Sequence, residues 1–227
     1  MRIASYNIHR SIGLDGEYDP QRINTVLRAL QADVIALQEV GYDHQRDSQS
    51  LADFASLGQW ELIEGITLQD SSGHYGNALL SRLPVRSVQR HDISVAGREP
   101  RGAIEVIVQA PQAQVQIIAT HLGLRPRERR DQVQRLLSLL EHSTAPVTIL
   151  LGDLNEWLLW GRPLRRLHSA LGECASPATF PARWPLFALD RIWVRPLSTV
   201  HTVRVHRDAP AGIASDHLPL VAELALN

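Results

Sequence analysis

The chain has 227 residues, 44% of them hydrophobic and 21% charged, a composition that fits one ordinary globular domain and excludes a disordered or collagen-like chain. Its 23 basic and 24 acidic residues leave a formal net charge of -1, which argues against a polycation that coats nucleic acid or anionic lipid. Every basic residue is an arginine, so mechanisms that need a lysine nucleophile, a Schiff base or a P-loop lysine are excluded.

The only cysteine, Cys174, cannot form an internal disulfide or build a zinc site by itself. The first ten residues lack the long apolar core of a signal peptide. Because no run of about 18 apolar residues exists, we expect no transmembrane segment. These features predict a cytoplasmic protein.

The first half of the chain is predicted to alternate short strands with two helices. Asp19 and Pro20 supply the N-cap and the first position of the first helix, whose apolar residues then follow at helical spacing. In chain order the predicted elements are a strand at 2–9, this helix, a strand at 34–37, a helix at 44–57 and strands at 60–68, 76–81 and 85–92. Residues 82–84 separate the last two strands and predict a hairpin corner.

The second half is predicted to contain more strands than helices. In chain order they are strands at 103–109 and 115–120, a helix at 126–141, a strand at 147–151, a helix at 158–171, and strands at 189–194, 200–205 and 218–224. Hairpins outnumber parallel crossovers, which favours mixed or antiparallel sheets. With no repeat or linker in the sequence, residues 1–227 are predicted to form a single α/β domain.

Six predicted strand ends carry acidic, amide or imidazole side chains. They are Asn7 and His9, Glu39, His121, Asp153 and Asn155, Asp190, and Asp216 and His217. Each residue alone has a structural explanation, because Asp and Asn cap turns and a single histidine is usually structural. Since ligands and catalytic groups gather where strands end, the set as a whole predicts an active site.

The residue types in this set indicate the chemistry. Oxygen donors with few nitrogens and no sulfur suit Mg²⁺ or Mn²⁺ rather than Zn²⁺. Such an ion polarises a phosphoryl oxygen and stabilises a leaving group. His217 is a candidate base for the attacking water if a carboxylate fixes its tautomer, and Asp190 is the natural partner.

The motifs around these residues resemble the endonuclease/exonuclease/phosphatase family of metal-dependent phosphoesterases. The matching segments occur in the family's order: SYNIH at 5–9, ALQEV at 36–40, GNALLSR at 76–82, ATHL at 119–122, GDLN at 152–155, LDRIWV at 189–194 and SDHLPL at 215–220. The pair GDLN and SDHLPL is the specific part of the match. The resemblance implies a four-layered α/β sandwich, in which two packed mixed β-sheets are flanked by helices.

The resemblance also implies roles at the metal. Glu39 would be the main metal carboxylate, Asn7 would lie beside the metal and the phosphate, and Asp216 would be a further acid on the metal side. Asp153 and Asn155 would orient the water and bind phosphate, or hold a second metal. Some relatives carry an acid where this chain has His9, which would instead face phosphate or water, or favour Mn²⁺; we expect activity with both ions.

Further residues are implied to act on the phosphate. His217 would pair with Asp190, as a general base or as an acid that contacts phosphate, and His121 would donate to a non-bridging phosphate oxygen. Asn77 is expected near His121. Arg101 is either a contact to substrate phosphate or a surface arginine.

The motifs imply a metal-dependent phosphodiesterase. They do not identify its substrate ester, because specificity lies in loops over the metal. The candidate substrates are a nucleic acid, a phospholipid headgroup and, for a phosphomonoesterase, a small phosphorylated metabolite. The alternative to an enzyme is an inactive binding module of the same fold. Arginine clusters at 125–130 and 162–166 are either a grip on phosphates or a solvated helix face. Residues 157–160 are core, a base-stacking patch or a lipid contact. The sequence does not indicate an oligomeric state.

Overall fold

The computed structural model describes residues 1–43, 51–71 and 73–226. The strands are β1 (Arg2–Asn7), β2 (Val34–Asp43), β3 (Glu61–Gln69), β4 (Gly73–Ser81), β5 (Val85–Asp92), β6 (Gly102–Gln109), β7 (Gln114–His121), β8 (Val147–Asp153), β9 (Asp190–Arg195), β10 (Val200–Val205) and β11 (Leu220–Leu224). The helices are α1 (Pro20–Leu30), α2 (Leu51–Gly58), α3 (Pro126–Glu141), α4 (Arg162–Leu171) and the single turn α5 (Ala211–Ala214). In the described residues, no helix is both long and apolar enough to cross a membrane.

The strands form two mixed sheets. One has six strands in the order β10-β11-β1-β2-β4-β3, and the other has five in the order β5-β6-β7-β8-β9. The neighbours β1 and β2 run parallel, as do β7 and β8, and the remaining neighbours are antiparallel. The prediction of an α/β sandwich with mixed sheets is therefore confirmed.

Side-chain alternation along the central strands explains the layers. Ile117 and Ala119 face the core between the two sheets, whereas Ile118 packs with α3 and α4 on the other face of its sheet. In the six-stranded sheet, Ile3 enters the core between the sheets and Ala4 packs against α1. Because both faces are covered, these strands are apolar throughout rather than alternating in polarity.

The structure differs from the predicted elements in several bounds; β2, for example, continues to Asp43 and β4 begins at Gly73. Residues 82–84 are not a hairpin corner, since β4 belongs to the six-stranded sheet and β5 to the five-stranded one. This segment connects the two sheets instead. The helix predicted at 158–171 begins only at Arg162. In the helix predicted at 44–57, residues 44–50 lie outside the described residues, and α2 covers Leu51–Gly58.

Candidate active site

Strand register brings the predicted residues to one edge of both sheets. Asn7 ends β1 and is paired with Gln38, the neighbour of Glu39. In the other sheet His121 ends β7 and is paired with Asp153, which in turn faces Asp190 across β8 and β9. The site therefore lies at the edge where these strand ends of the two sheets meet, and each sheet contributes side chains to it.

Asp153 lies at the centre of the site. Its Oδ2 accepts a hydrogen bond of 3.1 Å from Asn7 Nδ2 and lies 3.6 Å from His121 Nε2 and 3.7 Å from His217 Nε2. Its Oδ1 accepts from the backbone N–H of Asn155 at 2.8 Å. One buried carboxylate thus connects residues from β1, from β7 and from the segments that follow β8 and precede β11.

Glu39 reaches the site because β2 contains a bulge. Between the pairs Leu37–Ala78 and Val40–Gly76, Gln38 and Glu39 stand opposite the single residue Asn77. Glu39 has a left-handed φ of 55°, a conformation that non-glycine residues adopt at a cost and that concentrates at functional sites. The bulge aims its half-buried carboxylate at Asn7, whose Nδ2 donates to Oε1 at 3.0 Å.

Asn7 presents its amide nitrogen, not its oxygen, to the two acids. Its Oδ1 accepts from the backbone N–H of His9 at 3.0 Å, so the amide orientation follows from the hydrogen bonds. The nitrogen is then the donor that links Glu39 to Asp153.

His217 is held by a buried carboxylate. Its Nδ1 hydrogen-bonds Asp190 Oδ2 at 2.8 Å, and the Thr179 hydroxyl donates to the same oxygen at 2.6 Å. The Ser215 hydroxyl accepts from the His217 backbone N–H at 3.2 Å and donates to the Asn7 carbonyl at 2.7 Å. These bonds leave Nε2 as the nitrogen directed towards Asp153.

The two histidines have opposite protonation. Burial alone would lower the pKa of His217, but the carboxylates of Asp190, Asp153 and Asp216 outweigh it and raise this pKa to about 10. Burial lowers the pKa of His121 to about 4, with Asp153 opposing the shift and Arg101 and His217 adding to it. At neutral pH His217 is therefore an imidazolium and His121 a neutral imidazole.

His121 has a different partner from the one expected. Its Nε2 is 3.0 Å from Asn155 Nδ2, which also donates to the Leu122 carbonyl at 2.9 Å. Asn77 instead donates to the Gly102 carbonyl at 3.3 Å, an acceptor it shares with the hydroxyl of Thr120. Asn77 is thus close to the end of β7, but the side-chain amide that hydrogen-bonds the His121 ring belongs to Asn155.

His9 and Asp216 lie together at the exposed side of the site. His9 Nδ1 is 3.1 Å from the Ile12 carbonyl and 3.9 Å from Asp216 Oδ1. The Asp216 side chain is 32% exposed, in contrast to the buried Asp153 and Asp190. Asp216 is therefore more accessible to solvent than Asp153 and Asp190 are.

Arg101 is buried rather than on the surface, which excludes the surface alternative. It pairs with Glu99 at 2.5 Å, while its Nε has no hydrogen-bond partner among the described residues. It lines a cavity of about 400 Å³ beside Gly102 and Ala103. A buried guanidinium N–H without a partner is costly.

The donor set fits a divalent ion of the magnesium type. In the described residues, no group of three or more His, Cys, Asp or Glu side chains converges as a metal cage. Mg²⁺ does not need one, because it keeps several waters and takes one or two carboxylates together with substrate phosphate. Glu39 and Asp216, the half-buried acids of the site, are the oxygen donors open to such an ion.

Comparison with known proteins identifies the family of this chain. The model of the endonuclease/exonuclease/phosphatase family matches residues 4–217. The chain belongs to this family. It is 27% identical to the uncharacterized protein YbhP of Escherichia coli strain K12 over 99% of this chain and 96% of that one.

Two solved structures show the endonuclease/exonuclease/phosphatase fold at low identity. The family protein of Beutenbergia cavernae superposes with a TM-score of 0.80 at 23% identity, over 100% of this chain and 71% of that chain. The human Nocturnin catalytic domain with bound sulfate gives 0.73 at 20% identity, over 100% of this chain and 94% of that chain.

Within this family fold, sequence reasoning missed Thr179 and Phe180. Thr179 bonds Asp190, and the ring centroid of Phe180 lies 4.8 Å from that of His217. Both lie in residues 172–189, which contain no helix or strand, so no periodicity points to them. Ser215, by contrast, lies in the quoted SDHLPL segment.

Two interpretations of the surrounding surface are settled by burial. Residues 157–160 are exposed, so they are not core. Glu128 and Arg129 are buried, so the start of α3 is not a uniformly solvated face. Arg129 Nε instead bonds Glu156 Oε2 at 3.2 Å in a buried ion pair.

Proposed function

We propose that residues 1–227 form a single endonuclease/exonuclease/phosphatase domain that hydrolyses a phosphodiester with the help of Mg²⁺ or Mn²⁺. The observation that carries the proposal is Asp153, whose Oδ2 lies 3.6 Å from His121 Nε2 and 3.7 Å from His217 Nε2 and is linked through Asn7 to Glu39. Members of this family are generally hydrolytic phosphoesterases, and the chain has the motifs of the family throughout.

Glu39 and Asp216 would hold the ion, with Asn7 beside it as the donor that keeps Glu39 and Asp153 in place. When bound, the ion polarises the phosphoryl oxygen and stabilises the leaving oxygen. A site with few protein ligands leaves room for the substrate phosphate and water in the coordination shell.

The protonated His217 is suited to donate to a phosphate oxygen rather than to remove a proton from water. Its Nδ1 is engaged by Asp190, so the proton on Nε2 faces the site, where negative charge builds in the transition state. Asp153 and Asn155 are then the groups that orient the attacking water. His121 lies beside them, and the guanidinium of Arg101, which contributes to lowering the pKa of His121, would be a further contact to the substrate phosphate.

The test is hydrolysis of bis-p-nitrophenyl phosphate, p-nitrophenyl phosphate, DNA, RNA and phospholipid vesicles with either ion. We expect turnover of diesters, and a loss of about 10²–10⁴ in rate in His217→Ala. Glu39→Gln removes a carboxylate proposed to hold the ion. Glu61→Gln, which changes an exposed acid on β3, is its matched control. Hydrolysis of monoesters alone would replace the proposal with a phosphomonoesterase. The absence of turnover on every substrate would replace it with a binding module.

A further inference from the structure

Exposed apolar side chains and arginines lie together beside the candidate active site. We call this surface the rim; its apolar residues are Leu124 and residues 157–160. A groove of about 820 Å³ separates the start of α3 from residues 156–163. Leu124 lines one side of this groove and Leu158 lines the other, with exposures of 63% and 53%. The next two residues after Leu158, Leu159 and Trp160, are 61% and 69% exposed. Large exposed apolar side chains gathered in one groove and the segment that continues it mark an interaction surface.

The rim continues to the catalytic histidine. The Trp157 ring packs edge-on against Phe187, at 4.9 Å between centroids, and against Phe180, at 5.6 Å. Phe180 in turn contacts His217. The tight turn that carries both phenylalanines also exposes Trp184 and Leu186. The apolar surface therefore leads directly into the proposed site of hydrolysis.

The charge around the groove is strongly positive although the whole chain has a net charge of -1. Five arginines line it without an ion pair to any described residue: Arg98, Arg125, Arg127, Arg130 and Arg162. Glu156 is the acid in the lining, and the buried Arg129 already neutralises it. The groove therefore presents uncompensated guanidinium groups next to exposed leucine and tryptophan.

We propose that this rim docks the protein on an anionic phospholipid bilayer. Guanidinium groups bind lipid phosphates, while Leu and Trp side chains enter the boundary between headgroups and acyl chains. A nucleic acid would use the arginines and would stack bases on aromatic rings. It has no use for the exposed leucines at 124, 158, 159 and 186, whereas a bilayer covers them.

The rigid base of the rim supports docking without refolding. Arg129 donates to the carbonyls of Gly123 and Leu124 as well as to Glu156, so the two sides of the groove are tied together. A Cβ on Gly161 would lie 2.6 Å from the Glu156 carboxyl carbon, which shows how closely the segment packs on this pair. The exposed side chains are thus presented by a fixed backbone.

The test is co-sedimentation of the full chain with vesicles of equal parts phosphatidylcholine and phosphatidylglycerol, without any turnover measurement. We expect Leu159→Ser/Trp160→Ser to lower the vesicle partition coefficient roughly tenfold or more. The matched control is Leu57→Ser/Leu197→Ser, which removes two leucines that are 63% and 51% exposed away from the rim. This control should bind as the wild type does, and unchanged thermal unfolding midpoints establish that the variants fold.

The charge contribution is tested in the same assay. Arg125→Gln/Arg127→Gln/Arg162→Gln should weaken binding, most strongly at low salt, whereas Arg86→Gln/Arg204→Gln/Arg207→Gln removes as many exposed charges elsewhere and should not. Failure of the wild type to bind these vesicles, or equal losses in rim and control variants, would overturn the proposal. The proposal would also be overturned if the wild type bound a labelled oligonucleotide and not vesicles, and the rim variants lost the oligonucleotide binding. Since no turnover is measured, these outcomes are separate from the failure of the proposed hydrolysis.

Discussion

At the scale of single residues, Thr179 is the group that controls the Asp190–His217 pair. Its hydroxyl donates to the same Asp190 oxygen that His217 bonds, and the other Asp190 oxygen has no partner among the described residues. Thr179→Val keeps the shape and removes the donor. We expect the free energy of unfolding to fall by about 1.5–3 kcal/mol, and kcat on a diester to fall about 10–100-fold with little change in KM.

The control for this prediction is Thr179→Ser, which keeps a hydroxyl at the same position. It should recover most of kcat and most of the stability, as measured by denaturant unfolding. Equal losses in the Ser and Val variants would mean that packing of the methyl group, not the hydrogen bond to Asp190, is the contribution of Thr179.

Gly152 shows how tightly the backbone packs beneath Asp153. It has a φ of 145°, and a Cβ there would lie 1.8 Å from the Thr120 carbonyl oxygen on β7. Gly152→Ala is expected to lower the free energy of unfolding by about 2–5 kcal/mol, because strain and a backbone clash add. Gly97→Ala, at a φ of 72° with nothing within 4 Å of the added carbon, should cost about 1 kcal/mol. Denaturant titration of both variants measures the difference.

At the scale of elements, the buried pair of Arg129 on α3 and Glu156 after β8 orders the loops beside the site. Arg129→Met leaves the buried carboxylate of Glu156 without its cationic partner, and we expect a loss of about 3–5 kcal/mol in unfolding free energy. Arg129→Met/Glu156→Gln removes both charges and should recover part of that loss. Arg127→Met, on the exposed face of the same helix, should change stability little.

A double-mutant cycle on Arg129 and Glu156 measures the coupling between them. A coupling free energy near zero would contradict the prediction, because it would mean that each side chain contributes only through its own packing. A large coupling would show that the two side chains stabilise the fold through their interaction with each other.

Elements with a regular pattern were predictable, and elements fixed by long-range packing were not. The apolar strands and the polar residues at their ends were found because burial on both faces and strand ends leave a local pattern. The segment 82–84 has the local pattern of a hairpin, yet β4 and β5 go to different sheets, a choice that only the packing of the two sheets makes. Thr179 lies in irregular chain and acts on a residue 11 positions away, so no spacing rule finds it.

At the scale of the whole molecule, the site exists only when both sheets are packed together. Asn7, Glu39 and His217 belong to the six-stranded sheet and its connections, whereas His121, Asp153 and Asp190 belong to the five-stranded sheet. The hydrogen bond from Asn7 to Asp153 spans 146 positions of sequence. A ligand that bridges groups from the two sheets therefore stabilises the packing between them.

Metal binding is measurable without a substrate, because an ion that binds only the folded state raises the free energy of unfolding. Glu39, Asp153, Asp190 and Asp216 bring four carboxylates to one edge of the sandwich, with His217 as the protonated group among them. A divalent ion held by Glu39 and Asp216 would bind the folded state and not the unfolded one. At a concentration of 100 times its dissociation constant it should raise the free energy of unfolding by about 2.7 kcal/mol. We expect Mg²⁺ and Mn²⁺ both to do so, and removal of the ion with a chelator to reverse it.

Comparison of two variants assigns the effect to the site. Glu39→Gln removes the carboxylate that the β2 bulge aims at Asn7, so most of the stabilisation by either ion should be lost, while Glu61→Gln should keep it. If the two variants respond alike, the ion binds elsewhere on the protein. If Mn²⁺ stabilises the wild type and Mg²⁺ does not, direct coordination by His9 gains support, because imidazole is a better ligand for Mn²⁺ than for Mg²⁺. The test uses the unfolding equilibrium alone, so it examines the proposed metal site whatever the substrate is.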